Sequence, residues 1–503
     1  MSNKDILTCD LYDLTFDMEI PKSTLGHFYC DKYAALPVRR EGGRLWVATS
    51  DPQNGRALNS LADLTGMFIE PMFAREEDIR FHINRIFGSE RIGTIASQFA
   101  AEELKRAAVP GIEAENGEDL RNAPAVRLIE SLIESAVLYR ASDIHLEPGE
   151  RHMRARFRVD GRLTDFQRVD ISMQPHIISR LKILGGMDIA EKRLPQDGHF
   201  KARVREEDID FRLSTLPTLH GEKAAVRLLY GKESRLGKDE LGFFPEDLTK
   251  LNDLFNRPFG AVFITGPTGS GKSTTLSCFM EGLNTGDINI VTVEDPVENP
   301  LPGVNHMRIE PAAGLTFQNA LRSILRQDPD VIMIGEIRDP ETARIAIQAA
   351  VTGHLVLATL HTNDAAGVLE RLLDMGVEPY LVAAALSGVI SQRLVRRICP
   401  DCKAPKPLSA GEALTLGVPP GSPSFAGAGC SRCGGTGYRG RLAVYEYIIT
   451  DDALKRRMIQ DPERFAVKLR KKRAETGLKA NCLRNIAEGN TTAGEIIRAL
   501  NYG

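Results

Sequence analysis

The chain has 503 residues, of which 42% are hydrophobic and 26% charged, with a formal net charge of −3. This is the balance of a soluble globular protein, and the length accommodates about three domains of ~150 residues each. The charge excludes a chain-wide basic field for nucleic acid or anionic lipid and leaves only local patches open. Met1 to Asp10 carries acids and lacks an apolar core of signal-peptide length. The most apolar long stretch, Ile345 to Leu360, is broken by Gln348, Gly353 and His354 and is too short and polar to span a bilayer. A cytoplasmic location is expected, with any membrane attachment made through a partner.

Residues 1–23 are polar and acidic without a strong pattern. A small α/β unit follows over 24–88. Leu36 to Val38 and Leu45 to Ala48 read as strands around Glu41-Gly42-Gly43, and Ile69 to Phe73 as a third. Ala57 to Leu64 is helix-like, and Ile79, Ile83, Ile86 and Phe87 form a helical stripe. Residues 89–123, with Pro/Gly sites and an acidic run, read as a linker in which 95–109 could be helical.

A second domain, 124–242, opens on a helical stripe of Val126, Ile129, Leu132, Ile133, Ala136 and Val137. Strands follow at Ser142 to Glu147, Met153 to Val159, Ile209 to Leu213 and Ala224 to Leu229. Arg154, Arg156 and Arg158 fall on one face, which is either a solvated sheet face or a basic surface near a nucleotide or neighbouring subunit. From 243 to 393 strand and helix alternate with Gly-rich junctions, the pattern of a parallel sheet with crossover helices. Residues 394–440 hold paired cysteines, and 441–503 is charged and mostly helix-like.

Gly266-Pro267-Thr268-Gly269-Ser270-Gly271-Lys272-Ser273 matches the Walker A pattern in full. An apolar run, Ala261 to Ile264, precedes it, and Thr274 onward reads as a helix start. Strand, glycine-rich turn and helix form the context in which backbone N–H groups and a helix N-terminus cradle phosphate. Lys272 is expected on the β- and γ-phosphates of ATP, and the Ser273 hydroxyl on Mg²⁺. Two further apolar strands end in carboxylates, Ile290 to Val293 before Glu294 and Val331 to Ile334 before Gly335-Glu336. Acids at strand ends sit where α/β sheets bind ligand. Glu336 is assigned to Mg²⁺ and Glu294 to polarising the attacking water, although the two roles are interchangeable on sequence alone. His354 and His361 flank the strand at 357–360, either as γ-phosphate sensors or couplers, or as ordinary core histidines. Arg212, Arg227, Arg322, Arg326 and Arg338 lie beside strand or helix ends and, as a group, are candidates to neutralise phosphoryl-transfer charge.

Eight cysteines are present, four of them in two pairs, Cys399-x-x-Cys402 and Cys430-x-x-Cys433. Two such knuckles closing one tetrahedral site fit structural Zn²⁺ with no open position for catalysis.

Taken in order, Ser142-Asp143-Ile144-His145, the loop 266–273, Thr292-Val293-Glu294-Asp295-Pro296, the run from Leu325 through Gly335-Glu336-Ile337-Arg338-Asp339, and Thr352-Gly353-His354 to His361-Thr362 resemble the type II/type IV secretion ATPase family. The likeness runs from about 125 to the C-terminus, and more weakly over 24–88. It implies a RecA-like P-loop domain preceded by an α/β sensor-like domain. It implies a homo-hexameric cytoplasmic motor recruited to inner-membrane platform proteins, and gives Arg212 and Arg227 a role in reaching phosphate from the second domain. The cysteine module, usual in assembly ATPases and absent from retraction ATPases, points to assembly. The leading expectation is a motor for pseudopilus assembly in type II secretion, and its nearest rival is type IV pilus extension. A RecA-like nucleic-acid translocase is the rival from another class. Neutral charge and the lack of a base-stacking aromatic cluster argue against it, so no nucleic-acid partner is expected.

Overall fold

The computed structural model describes residues 9, 11, 14, 16–76, 78–87, 124–204, 207–230, 236–473 and 477–501. The linker expected at 89–123, with its helix, lies outside them. The chain forms two compact units, one drawn from 1–235, 399–403 and 427–439, the other from 236–398, 404–426 and 440–503.

In the first unit, β1 (Ala35–Glu41) and β2 (Arg44–Thr49) form an antiparallel hairpin. The turn places Gly42 and Gly43 at φ 55° and 78°, where a side chain would be strained. The helix Gly55–Thr65 is capped by the Asn54 side chain, which accepts the Ala57 N–H. It returns the chain to β3 (Phe68–Phe73), parallel to β2. Leu36, Val38, Leu45, Val47, Leu61, Ile79, Ile83 and Phe87 are buried together beneath this sheet.

The second domain of this unit is a six-stranded antiparallel sheet in the order β6-β5-β4-β9-β8-β7. Its strands are β4 (Asp143–Pro148), β5 (His152–Val159), β6 (Arg162–Asp170), β7 (Gln196–Val204), β8 (Glu207–Thr218) and β9 (Gly221–Tyr230). Ile144, Leu146, Met153, Ala155, Phe157, Phe211 and Val226 point to one face and are buried with apolar residues of the helices Pro124–Leu138 and Gln174–Gly185. The opposite face is basic. His199, Arg212, Arg227, Asp143 and Arg158 lie in register across β7, β8, β9, β4 and β5. Arg154, Arg156 and Lys223 converge on Glu147 at 3.3, 2.7 and 3.1 Å. The arginines of β5 thus line a polar sheet face whose charge two strand carboxylates partly offset.

The second unit is built on a seven-stranded sheet in the order β12-β11-β13-β14-β10-β15-β18. The strands are β10 (Gly260–Thr265), β11 (Ile290–Glu294), β12 (Asn305–Arg308), β13 (Val331–Ile334), β14 (Leu355–Leu360) and β15 (Leu386–Ile398). β16 (Lys403–Pro405) and β17 (Phe425–Gly427) pair separately, and β18 (Tyr438–Ile449) closes the large sheet. β10 to β15 pair in parallel. Their alternate residues enter two cores, with Phe263, Val293, Ile332 and Ile334 on one side and Ile264, Ile290, Met333 and Leu357 on the other. Strands buried on both faces read as continuous apolar runs, which is why they stood out in the sequence.

Three elements differ from the sequence-based boundaries. β15 continues past 393 to Ile398, because its apolar run extends through Val395. β18 is a strand inside the region expected to be mostly helical from Arg441, because Leu442 to Tyr445 are buried in succession. Residues 394–440 do not form one contiguous module: the two knuckles cluster with the first unit, and the 404–426 insertion clusters with the second.

Candidate nucleotide site and metal centre

Parallel pairing brings the C-terminal ends of β10, β11, β13 and β14 to one edge of the sheet, so the glycine loop, Glu294, Glu336 and His361 converge there. The loop is held from below by a buried glutamine. Gln392 of β15 donates to the Ser270 carbonyl at 2.8 Å and accepts from the Thr275 hydroxyl at 3.1 Å. A Cβ at Gly266, which has φ 143°, would lie 2.3 Å from the Gln392 carbonyl oxygen, so that position excludes any side chain.

Lys272 opens the helix Lys272–Leu283 and folds back to donate to the Gly266 and Pro267 carbonyls at 2.9 and 3.2 Å. Burial pulls its ammonium pKa down, and the nearby Glu336 carboxylate opposes that pull. No side chain caps this helix N-terminus, and the buried Ser270 hydroxyl has no hydrogen-bond partner. Thr268, Gly269 and Ser273 are exposed. An uncapped helix start, an unpartnered hydroxyl and an ammonium resting on its own loop form a cradle that fits phosphate, with the Ser273 hydroxyl open to a hard cation.

The two carboxylates keep different company. Glu294 is buried, and its Oε1 accepts from the Thr292 hydroxyl at 2.6 Å and meets His306 Nδ1 at 2.8 Å. The Leu301 N–H donates to His306 Nε2 at 2.9 Å, which places the imidazole proton on Nδ1, facing Glu294. Glu336 contacts Arg338 and lies 3.6 Å from His361 Nε2. Burial first, and then Lys272, lower the His361 pKa. The Thr265 hydroxyl, 2.9 Å from the Thr362 N–H and carbonyl oxygen, ties the β10 end to the residue after His361.

Other sequence candidates fall elsewhere. His354 precedes β14, at the opposite end of that strand from His361, and its Nδ1 meets the Ala349 carbonyl of the preceding helix at 3.1 Å. It finishes a helix and does not face the phosphate cradle. Arg322 pairs with Glu341, and Arg326 donates to the Arg322 carbonyl, so both are engaged by their surroundings. In the first unit Arg227 Nε donates to Asp143 at 3.0 Å and lies in register with Arg212. Sequence reading missed His306 and Gln392. A glutamine amid the apolar residues of 386–398 is itself a signal, whereas nothing around His306 marks it.

The four cysteines Cys399, Cys402, Cys430 and Cys433 place their sulfurs within 4.8 Å of one another. The Cys399–Cys430, Cys402–Cys433 and Cys430–Cys433 separations are 3.8, 3.9 and 3.7 Å. A tetrahedron with Zn–S bonds of about 2.3 Å sets sulfurs ~3.8 Å apart, so the four residues fit zinc. The Cys430 and Gly437 N–H groups reach Cys433 Sγ at 3.1 and 3.2 Å. Burial pushes the Cys433 thiol pKa up, but these donors outweigh it and leave it lowered, while burial carries Cys402 up to about 11.

The Type II/IV secretion system protein model matches residues 118–498, and the MshEN domain model matches residues 12–93. The chain is 43% identical over 480 residues to a type IV pilus assembly ATPase PilB of Myxococcus xanthus, covering 93% of this chain and 84% of that one. It is 41% identical over 478 residues to PilB of Thermus thermophilus, covering 93% of this chain but 53% of the longer relative. It is 43% identical over 383 residues to type II secretion system protein E of Dickeya dadantii, covering 76% of each. Among solved structures, the pilus retraction motor PilT with bound ADP aligns at TM-score 0.50 and 26% identity, over 74% of this chain and 96% of that one. The Legionella pneumophila ATPase DotB shares the fold at TM-score 0.56 and 22% identity, over 75% and 96%. Among the described residues no helix is long and apolar enough to cross a membrane. The chain belongs to the Type II/IV secretion system protein family, the family of secretion and pilus-assembly ATPases.

Proposed function

We propose that the chain is an ATP-hydrolysing motor that drives assembly of a pilin-like filament at the inner membrane. The observation that carries this reading is the convergence of the 266–273 loop, Glu294, Glu336 and His361 on one sheet edge. ATP would lie with its phosphates along Gly266 to Thr274, with Lys272 on the terminal phosphates and Mg²⁺ between Ser273 and Glu336. Glu294, one oxygen fixed by Thr292 and His306, would orient the attacking water through the other. Arg212 and Arg227 enter as the residues that the family likeness assigns to phosphate. His361 contributes a neutral imidazole beside Glu336. Zn²⁺ on the four cysteines would be structural, with its binding energy contributing to folding. The proposal includes a homo-hexamer working from the cytoplasmic face on membrane platform proteins.

Two filament systems remain in view. The pilus assembly relatives align over 93% of the chain, including the N-terminal domain, against 76% for the type II secretion relative. That coverage favours type IV pilus extension over the type II secretion system expected from sequence. Deleting the gene from its host tests the choice: loss of surface pili with intact protein export supports the first, and the reverse outcome supports the second.

A further inference from the structure

The second cysteine knuckle is bound to residues far from it in sequence. The Phe16 N–H donates to the Ser431 hydroxyl at 3.4 Å, and the Ser431 N–H donates back to the Phe16 carbonyl at 3.2 Å. Arg85, in the helical stretch 78–87, donates through Nη2 to the Arg432 carbonyl at 2.5 Å. The Tyr139 hydroxyl, from the end of the helix Pro124–Leu138, donates to the Arg85 carbonyl at 2.9 Å. A Cβ at Gly434 would sit 3.4 Å from the Tyr139 ring. The second knuckle therefore bonds to the N-terminal domain through Phe16 and Arg85, and Gly434 just after it lies beside Tyr139 of the domain that follows, across a segment of chain more than thirty residues long by position, 88–123.

Charge gives this arrangement a dependence on metal. Among the described residues no carboxylate pairs with Arg85, and its Nε is buried without a hydrogen-bond partner. A buried guanidinium without a counter-charge is costly. Four thiolates around one divalent cation carry a net double negative charge, and ligand cysteines must be deprotonated to bind. The metal-loaded knuckle supplies the anion that Arg85 lacks, and four neutral thiols do not.

We propose that the loaded tetracysteine centre is the clasp that docks the N-terminal domain onto the second domain, with Arg85 as its counter-ion. The inference rests on the reading of the four cysteines as a metal centre. Zinc content and hydrogen–deuterium exchange, measured on the same full-length sample, separate the two. Stripping zinc with a chelator under reducing conditions raises exchange through 78–87 and at Phe16 by about tenfold or more, and adding zinc back restores it. Arg85→Ala keeps its zinc and raises exchange in the same segments, and Arg85→Lys recovers most of the protection. Exchange unchanged on removing zinc that was shown to be present, or an Arg85→Ala variant as protected as the parent, overturns the clasp while leaving the metal centre standing. Protein purified without zinc overturns both.

Discussion

Glu294 ends one strand and Glu336 follows its neighbour, yet their side chains keep different partners. Glu336 contacts Arg338 and lies near His361, and under the proposed function its carboxylate would hold the magnesium ion. Glu336→Gln is expected to abolish ATP turnover while sparing binding, and Lys272→Ala to weaken both, as read by steady-state hydrolysis and nucleotide titration. Glu294 is pinned by Thr292 and a His306 whose proton faces it. His306→Ala should lower kcat ten- to a hundredfold or so, with KM for ATP little changed, because a misdirected carboxylate harms only the step that needs aim. Gln392 supports the loop from beneath with two hydrogen bonds. Gln392→Ala should cost about 1–3 kcal/mol in chemical denaturation, since it orphans buried partners. The residues proposed to react were legible in the sequence because glycine spacing and strand-end acids impose a fixed pattern. The residues that hold them were not, because a supporting contact such as His306 to Glu294 is made across a crossover and leaves no periodic trace.

At the scale of elements, what the sequence revealed follows burial. β10, β11, β13 and β14 are buried along their length and appear as apolar runs. β6 and β7 are the two edges of the second-domain sheet, are largely exposed, and give no such signal. The basic face of that sheet makes a separate prediction. Burial alone would raise the Glu147 carboxyl pKa, but hydrogen bonds from Arg156 and Lys223 outweigh it and hold it at about 2, against an ordinary 4.5. A carboxyl lowered in the folded state adds stability that is complete above 4.5 and disappears as pH falls through about 2. Glu147→Gln should therefore destabilise the chain by about 2 kcal/mol at pH 7 and flatten the loss of stability between those pH values. Denaturant unfolding of parent and variant across the acid range measures both effects.

The whole molecule joins a sheet built for nucleotide to a unit in which two short knuckles, distant in sequence, meet the N-terminal part of the chain. Paired Cys-x-x-Cys spacing foretold the clustering of the four cysteines, but spacing says nothing about which fold the knuckles join, since that depends on contacts made by Phe16, Arg85 and Tyr139. Elemental analysis of reduced, freshly purified protein should find about one zinc per chain, by the four-thiolate count. The filament system is decided by partners that a single chain does not carry, so the motor reading stands or falls on where the nucleotide sits. The most direct measurement is a crystal structure of the chain with magnesium and a non-hydrolysable ATP analogue. The predicted result is terminal phosphates within the 266–273 loop, Lys272 swung from its own carbonyls onto them, and magnesium at the Ser273 hydroxyl. An analogue bound away from an empty loop, with Lys272 still resting on Gly266 and Pro267, would contradict the account.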